Sequence, residues 1–120
     1  MDWQTDKTRI IQELVPGKEI TIAHMIANPD SALYRQLGFE PALGESRSAI
    51  GILSVCPGET AIIAGDIAIK AAGVNLCFMD RIAGALVISG AVSEVEAALR
   101  AVVDYIQDTL GFAVCGITRT

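Results

Sequence analysis

Few residues in this 120-residue chain have the chemistry for catalysis or metal binding, and their spacing argues against both. His24 is the only histidine, set in the alternating run Glu19-Ile20-Thr21-Ile22-Ala23-His24-Met25-Ile26 with no carboxylate at an obvious partner spacing. Such a histidine reads as a hydrogen-bonded structural residue rather than a base or a ligand. A small lyase or isomerase built on it would have to lose its activity in His24→Ala. Cys56, Cys77 and Cys115 are odd in number, far apart and each inside an apolar strand pattern, which reads as buried, reduced thiols of a cytosolic protein. With one histidine to add, they fall short of a zinc or iron–sulfur ligand set within one chain. Glu59, Asp66, Glu94, Glu96, Asp104 and Asp108 lie on polar helix faces, where solvated charges and ion pairs are the rule and an acid–base pair the exception. No serine stands in Gly-x-Ser-x-Gly, and neither a dinucleotide fingerprint nor a P-loop occurs. Catalysis, metal and cofactor are left without candidate residues.

Composition points elsewhere. A net charge of −5 leaves no electrostatic footprint for nucleic acid. The hydrophobic fraction is 52% and the mean hydropathy +0.46, high for a soluble monomer. Yet no run of about 18 apolar residues is present to cross a membrane. The N-terminus has no basic region followed by an apolar stretch, so no secretory signal is expected. One domain with surplus apolar surface predicts an oligomer whose subunit contacts hold the surplus.

The element that shows the surplus most plainly is Pro57–Gly73. It reads as a helix, with Pro57-Gly58 at its start, Glu59 in its first turn and Gly73 as a C′ stop. Glu59, Asp66 and Lys70 fall on one narrow stripe, and the other central residues are almost all Ala, Ile or Gly. Asp66 precedes Lys70 by four residues, the favourable order for an ion pair worth about 0.2–0.5 kcal/mol. A helix apolar nearly all round must be covered nearly all round.

Along the rest of the chain, residues 1–8 are polar, and Ile10-Ile11-Gln12-Glu13-Leu14-Val15 is a short β-like run stopped by Pro16-Gly17. Alone it is too short to be stable and needs partners in its own domain or from neighbouring copies. The alternation of Glu19–Ile26 puts Ile20, Ile22 and Ile26 on one strand face. Asn28-Pro29 ends that strand, and Asp30 or Ser31 caps a short helix that runs through Gln36 to Gly38. Residues 38–48 form a linker. Ala49–Val55, apolar on both faces, reads as a central strand covered by helices. After the helix, Asn75–Met79 and Ala85–Ser89 form a hairpin joined by Asp80–Gly84. Ser93 and Glu96 make a capping box for a helix to Leu110, with Val92, Val95, Leu99, Val102 and Ile106 at helical spacing. Gly111 ends it and Phe112–Ile117 is a last strand. The order β-α-β-β-α-β over residues 49–117 is the ferredoxin-like α+β pattern, which many functions share.

Five segments carry a resemblance more specific than that pattern: Ala49-Ile50-Gly51-Ile52, Pro57-Gly58-Glu59-Thr60-Ala61, Gly65–Ala72, Phe78-Met79-Asp80-Arg81 and Gly84–Ile88. They resemble bacterial microcompartment (BMC) shell proteins. Ile10–Glu13, Val15–Lys18, Ile22–Pro29 and Ile117–Thr120 resemble the circularly permuted branch, the small shell hexamers of ethanolamine-, propanediol- and choline-utilisation compartments. The resemblance implies an N-terminal tail and barrel strand over residues 1–18 and a permuted BMC domain over 19–120. It implies homohexamers that tile, with other shell proteins, into a wall around enzymes, and a cytoplasmic shell location.

Residue by residue, the resemblance places Lys70, before Ala71-Ala72, on the hexamer edge. Asn28-Pro29 stands where ordinary members carry an arginine before the proline of an edge loop. Arg81, Ile82, Ala83 and Gly84 match the loop lining the central pore, departing from the usual small Gly-Ser-Gly-like sequence. Ile10, Ile11, Gln12, Glu13 and Val15 match a strand that joins its symmetry copies in a small barrel over the opening; closure of that kind removes an exposed strand edge. The resemblance favours residues 19–27 beside the central strand and leaves the place of the last strand open. The alternative on the same framework is an oligomeric regulator binding a small metabolite, which would need an effector cleft.

Overall fold

The computed structural model describes residues 17–38 and 49–120, so the Ile10–Val15 segment and most of the 38–48 linker lie outside the described residues. The chain forms β1 (Glu19–Ile26), α1 (Ser31–Leu37), β2 (Ala49–Cys56), α2 (Thr60–Ala71), β3 (Asn75–Asp80), β4 (Ala85–Gly90), α3 (Val92–Asp108), β5 (Ala113–Val114) and β6 (Thr118–Arg119). The sheet order is β3-β4-β2-β1-β5, with β6 also paired to β1. β1 is antiparallel to β2, in the place the resemblance favoured. The last strand differs from the continuous Phe112–Ile117 expected. It consists of two short parallel pairings on the outer edge of β1, Glu19–Ala113 and His24–Thr118 among them. Both pairings keep one register along β1, so the tail is a single run interrupted over residues 115–117.

An irregularity in β1 between Ile20 and Ile22 overturns the expected single face for Ile20, Ile22 and Ile26. Thr21 is the extra residue, and its Oγ1 donates to the Ser54 carbonyl at 3.3 Å. Because an extra residue shifts the alternation, Ile20 joins Ala23 and Met25 in the core while Ile22 faces out.

α2 and α3 cover one face of the sheet. The row Ala23–Leu53–Leu86 across the strands is fully buried there, together with Ala61, Ala64, Ala68, Val95, Leu99, Val102 and Ile106. Small residues let α2 sit close: a Cβ on Gly65 would lie 2.5 Å from Met79 Cε. The other face is open along the row Phe78–Val87–Ile52–His24–Thr118. β2 is therefore covered by helices on one side only along this row, where both sides were expected to be.

Helix ends follow local chemistry. Asp30 caps α1, its side chain accepting from the Ala32 N–H at 2.8 Å, and Gly38 closes it in the left-handed region. α3 ends in a turn closed by Gly111 (φ 74°), with the Phe112 N–H bonded back to the Ile106 carbonyl. Two expected caps are absent. α2 ends because Ala72 turns extended, and Gly73 gives its N–H to the Glu94 carboxylate instead of turning left-handed. Ser93 lies inside α3, whose N-cap is Ala91 with no side-chain bond. Glu96 is then free to pair with Arg100 at 3.4 Å.

Candidate functional site at the two ends of the sheet

The topology sorts the candidate residues to opposite ends of the sheet. β2 carries Ala49 at one end and Cys56 at the other; its eight residues, at about 3.3 Å each, separate those ends by roughly 25 Å. Glu19 pairs with Cys56 and Ile26 with Ile50. Asn28-Pro29 therefore follows β1 at the Ala49 end. α2 runs back from Cys56, so Lys70, in its last turn, is also carried toward the Ala49 end. The Arg81–Gly84 loop, joining β3 to β4 next to Val55, sits at the Cys56 end. Gly17 and Lys18, the first described residues, lead into β1 at that same end.

The Arg81–Gly84 loop is fixed by its own backbone. The Asp80 carboxylate accepts the N–H groups of Ile82 (2.9 Å) and Ala83 (3.0 Å), and the Gly84 N–H donates to the Asp80 carbonyl at 2.8 Å. Those bonds, the one from Ala83 foremost and then the one from Ile82, lower the Asp80 pKa below the ordinary carboxylate value. The Gly84 carbonyl accepts from the Val55 N–H at 2.8 Å, which ties the loop to β2. Gly84 has φ 85°, and a Cβ on it would collide with the Val55 carbonyl. A Cβ on Gly58 would strike the Ile82 and Arg81 carbonyl oxygens, so both carbonyls lie against the turn that opens α2. What projects is Arg81, Ile82 and Ala83, all exposed.

At the opposite end, Lys70 Nζ lies 3.0 Å from Asp66, both well exposed. Beside the pair, Ile63, Ile67, Ala71 and Tyr105 line an open groove of about 450 Å³ between α2 and α3. Three of the four isoleucines of α2 point away from the core, Ile62, Ile63 and Ile69 being 43–49% exposed, while Ile67 packs partly against it. Asn28 is exposed and Pro29 buried at the turn into α1.

The residues read as chemically quiet have structural settings. His24 bonds through Nδ1 to Thr118 Oγ1 at 2.6 Å and through Nε2 to Thr120 Oγ1 at 2.9 Å, tying β6 to β1. The three cysteines are free, but half-buried rather than buried as expected. Cys77 shows why: its Sγ bonds Ser89 Oγ at 3.2 Å, in the strand pair that carries the open Phe78–Val87 row. Among the described residues no three of His, Cys, Asp or Glu are grouped to hold a metal, and no helix is long and apolar enough to cross a membrane. The signal for an assembly surface, large isoleucines alternating with Ala and Gly along α2, was present in the sequence. The signal for the rigidity of the Arg81–Gly84 loop was not, because Asp80 acts through backbone groups that no side-chain pattern reveals.

Comparison with known proteins decides what this arrangement belongs to. Residues 49–117, from β2 to the segment before β6, match the BMC domain. The chain belongs to the BMC-domain family. Its BMC domain is preceded by β1 and α1, and β1 fills the position beside β2, which is the permuted arrangement. The chain is 48% identical over 120 residues to the bacterial microcompartment shell protein PduU of Salmonella typhimurium (strain LT2), covering 100% of both chains. It is 49% identical over 115 residues to the shell protein EutS of Escherichia coli (strain K12), covering 96% of this chain and 99% of that one. Among solved structures, the CutR flat hexamer is 43% identical with a TM-score of 0.81, over 88% of this BMC chain and 94% of that one.

Proposed function

We propose that six copies of this chain close into a flat ring that tiles a bacterial microcompartment shell with other shell proteins. The Cys56 end of each sheet faces the ring centre and the Ala49 end its edge. The observation that carries this orientation is the segregation of the candidate residues. Arg81–Gly84 and the attachment point of the N-terminal segment share one end, and Lys70 and Asn28-Pro29 share the other. A ring needs such a division, because central and lateral contacts are made by opposite ends of one subunit.

In this reading neighbouring subunits cover the exposed isoleucines of α2, Lys70 meets its counterpart across a two-fold between rings, and Ile10–Val15 joins its copies above the opening. The protein's role is structural, with enclosed enzymes as indirect partners. The regulator alternative lacks support, since the relatives are named as shell proteins. The test is Lys70→Ala, examined by electron microscopy of the purified protein. Rings should persist while their side-by-side packing changes. Unchanged sheets would remove Lys70 from the edge.

A further inference from the structure

We propose that Ile82 of the six copies meets around the ring axis and closes the central opening with an apolar collar. The inference rests on the reading of Arg81–Gly84 as the inner rim and adds what that rim is made of. The loop backbone has little left to offer a passing solute. The N–H groups of Ile82, Ala83 and Gly84 are all given to Asp80, the Gly84 carbonyl is taken by Val55, and the Arg81 and Ile82 carbonyls lie against Gly58. Side chains therefore set most of the chemistry of the rim.

Among the described residues Ile82 is the most exposed large apolar side chain, at 87%. It stands on a turn held from both sides, so its position is repeated faithfully in each copy. A closed ring brings identical groups to one level about its axis, and six branched aliphatic side chains can pack there without charge repulsion. Six Arg81 guanidinium groups cannot, so they turn away from the axis into water. The occupant of the Ile82 surface is thus the same residue of the other copies. A narrow apolar constriction of this kind excludes hydrated solutes by shedding water.

The test uses the full chain carrying Ile82→Cys, with its assembled mass checked first by sedimentation. Ile82 is too exposed for this change to unfold the subunit. Mild oxidation should convert most chains to disulfide-linked dimers on non-reducing gels, several-fold above the wild-type background from Cys56, Cys77 and Cys115. A bis-maleimide with a long spacer should link them as well. Linkage by the spacer reagent without disulfide formation would leave the loop at the rim but overturn the collar. Linkage by neither, in an intact ring, would overturn the collar and the rim reading together.

Discussion

Asp80 does more for the Arg81–Gly84 loop than any residue that projects from it, because one carboxylate holds two consecutive N–H groups. Its lowered pKa means the bonds are fully present above the ordinary carboxylate value, about 3.9, and are lost only as pH falls through the still lower folded value. Hydrogen exchange at Ile82 and Ala83 should therefore stay slow, for exposed amides, at neutral pH. It should speed up in Asp80→Ala and be largely restored in Asp80→Asn, which keeps an acceptor oxygen. Equal exchange in all three would show that the turn holds without the carboxylate. Gly58→Ala tests the same turn by crowding: a Cβ against two carbonyl oxygens should cost about 1–3 kcal/mol in chemical denaturation. Gly116→Ala, with nothing within 4 Å, should stay within about 0.5 kcal/mol of wild type. At this scale the sequence exposed Asp66–Lys70, a pair defined by spacing. It hid the Glu94 bond to the Gly73 N–H, which joins residues distant in sequence and displaces the expected glycine cap.

β1 is the element on which the permuted arrangement turns, since it pairs with β2 on one side and with both β5 and β6 on the other. His24 fastens that second side through Thr118 and Thr120. His24→Ala should cost about 1 kcal/mol of stability and speed exchange at the Thr120 N–H, which bonds the Met25 carbonyl at 2.9 Å. Unaltered exchange there would make the backbone pairing sufficient by itself. Strand alternation made β1 legible from sequence, and helical spacing did the same for α3. The shift at Thr21 was not legible, because a bulge depends on the partner strand's register and leaves no mark in the hydrophobic pattern. Nor does the hydrophobic pattern mark the break between β5 and β6, which pair with β1 in one unbroken register.

In the whole molecule, apolar surface remains on both layers: Ile62, Ile63 and Ile69 outside α2, and Phe78 and Ile22 on the open side of the sheet. Covering each half-exposed isoleucine is worth about 1 kcal/mol, repeated in every copy of a ring. This surplus was readable from composition and from the apolar circumference of α2, but which neighbour covers which face was not, since symmetry is written in no single chain. Ile63→Glu should therefore leave the circular dichroism of the subunit intact while weakening assembly. The most direct test of the account is the mass of the purified full-length protein by sedimentation equilibrium at micromolar concentration. A particle of about six times the 12.6 kDa of one chain is the predicted result. A stable 12.6 kDa particle, with the isoleucines of α2 left in water, would contradict it.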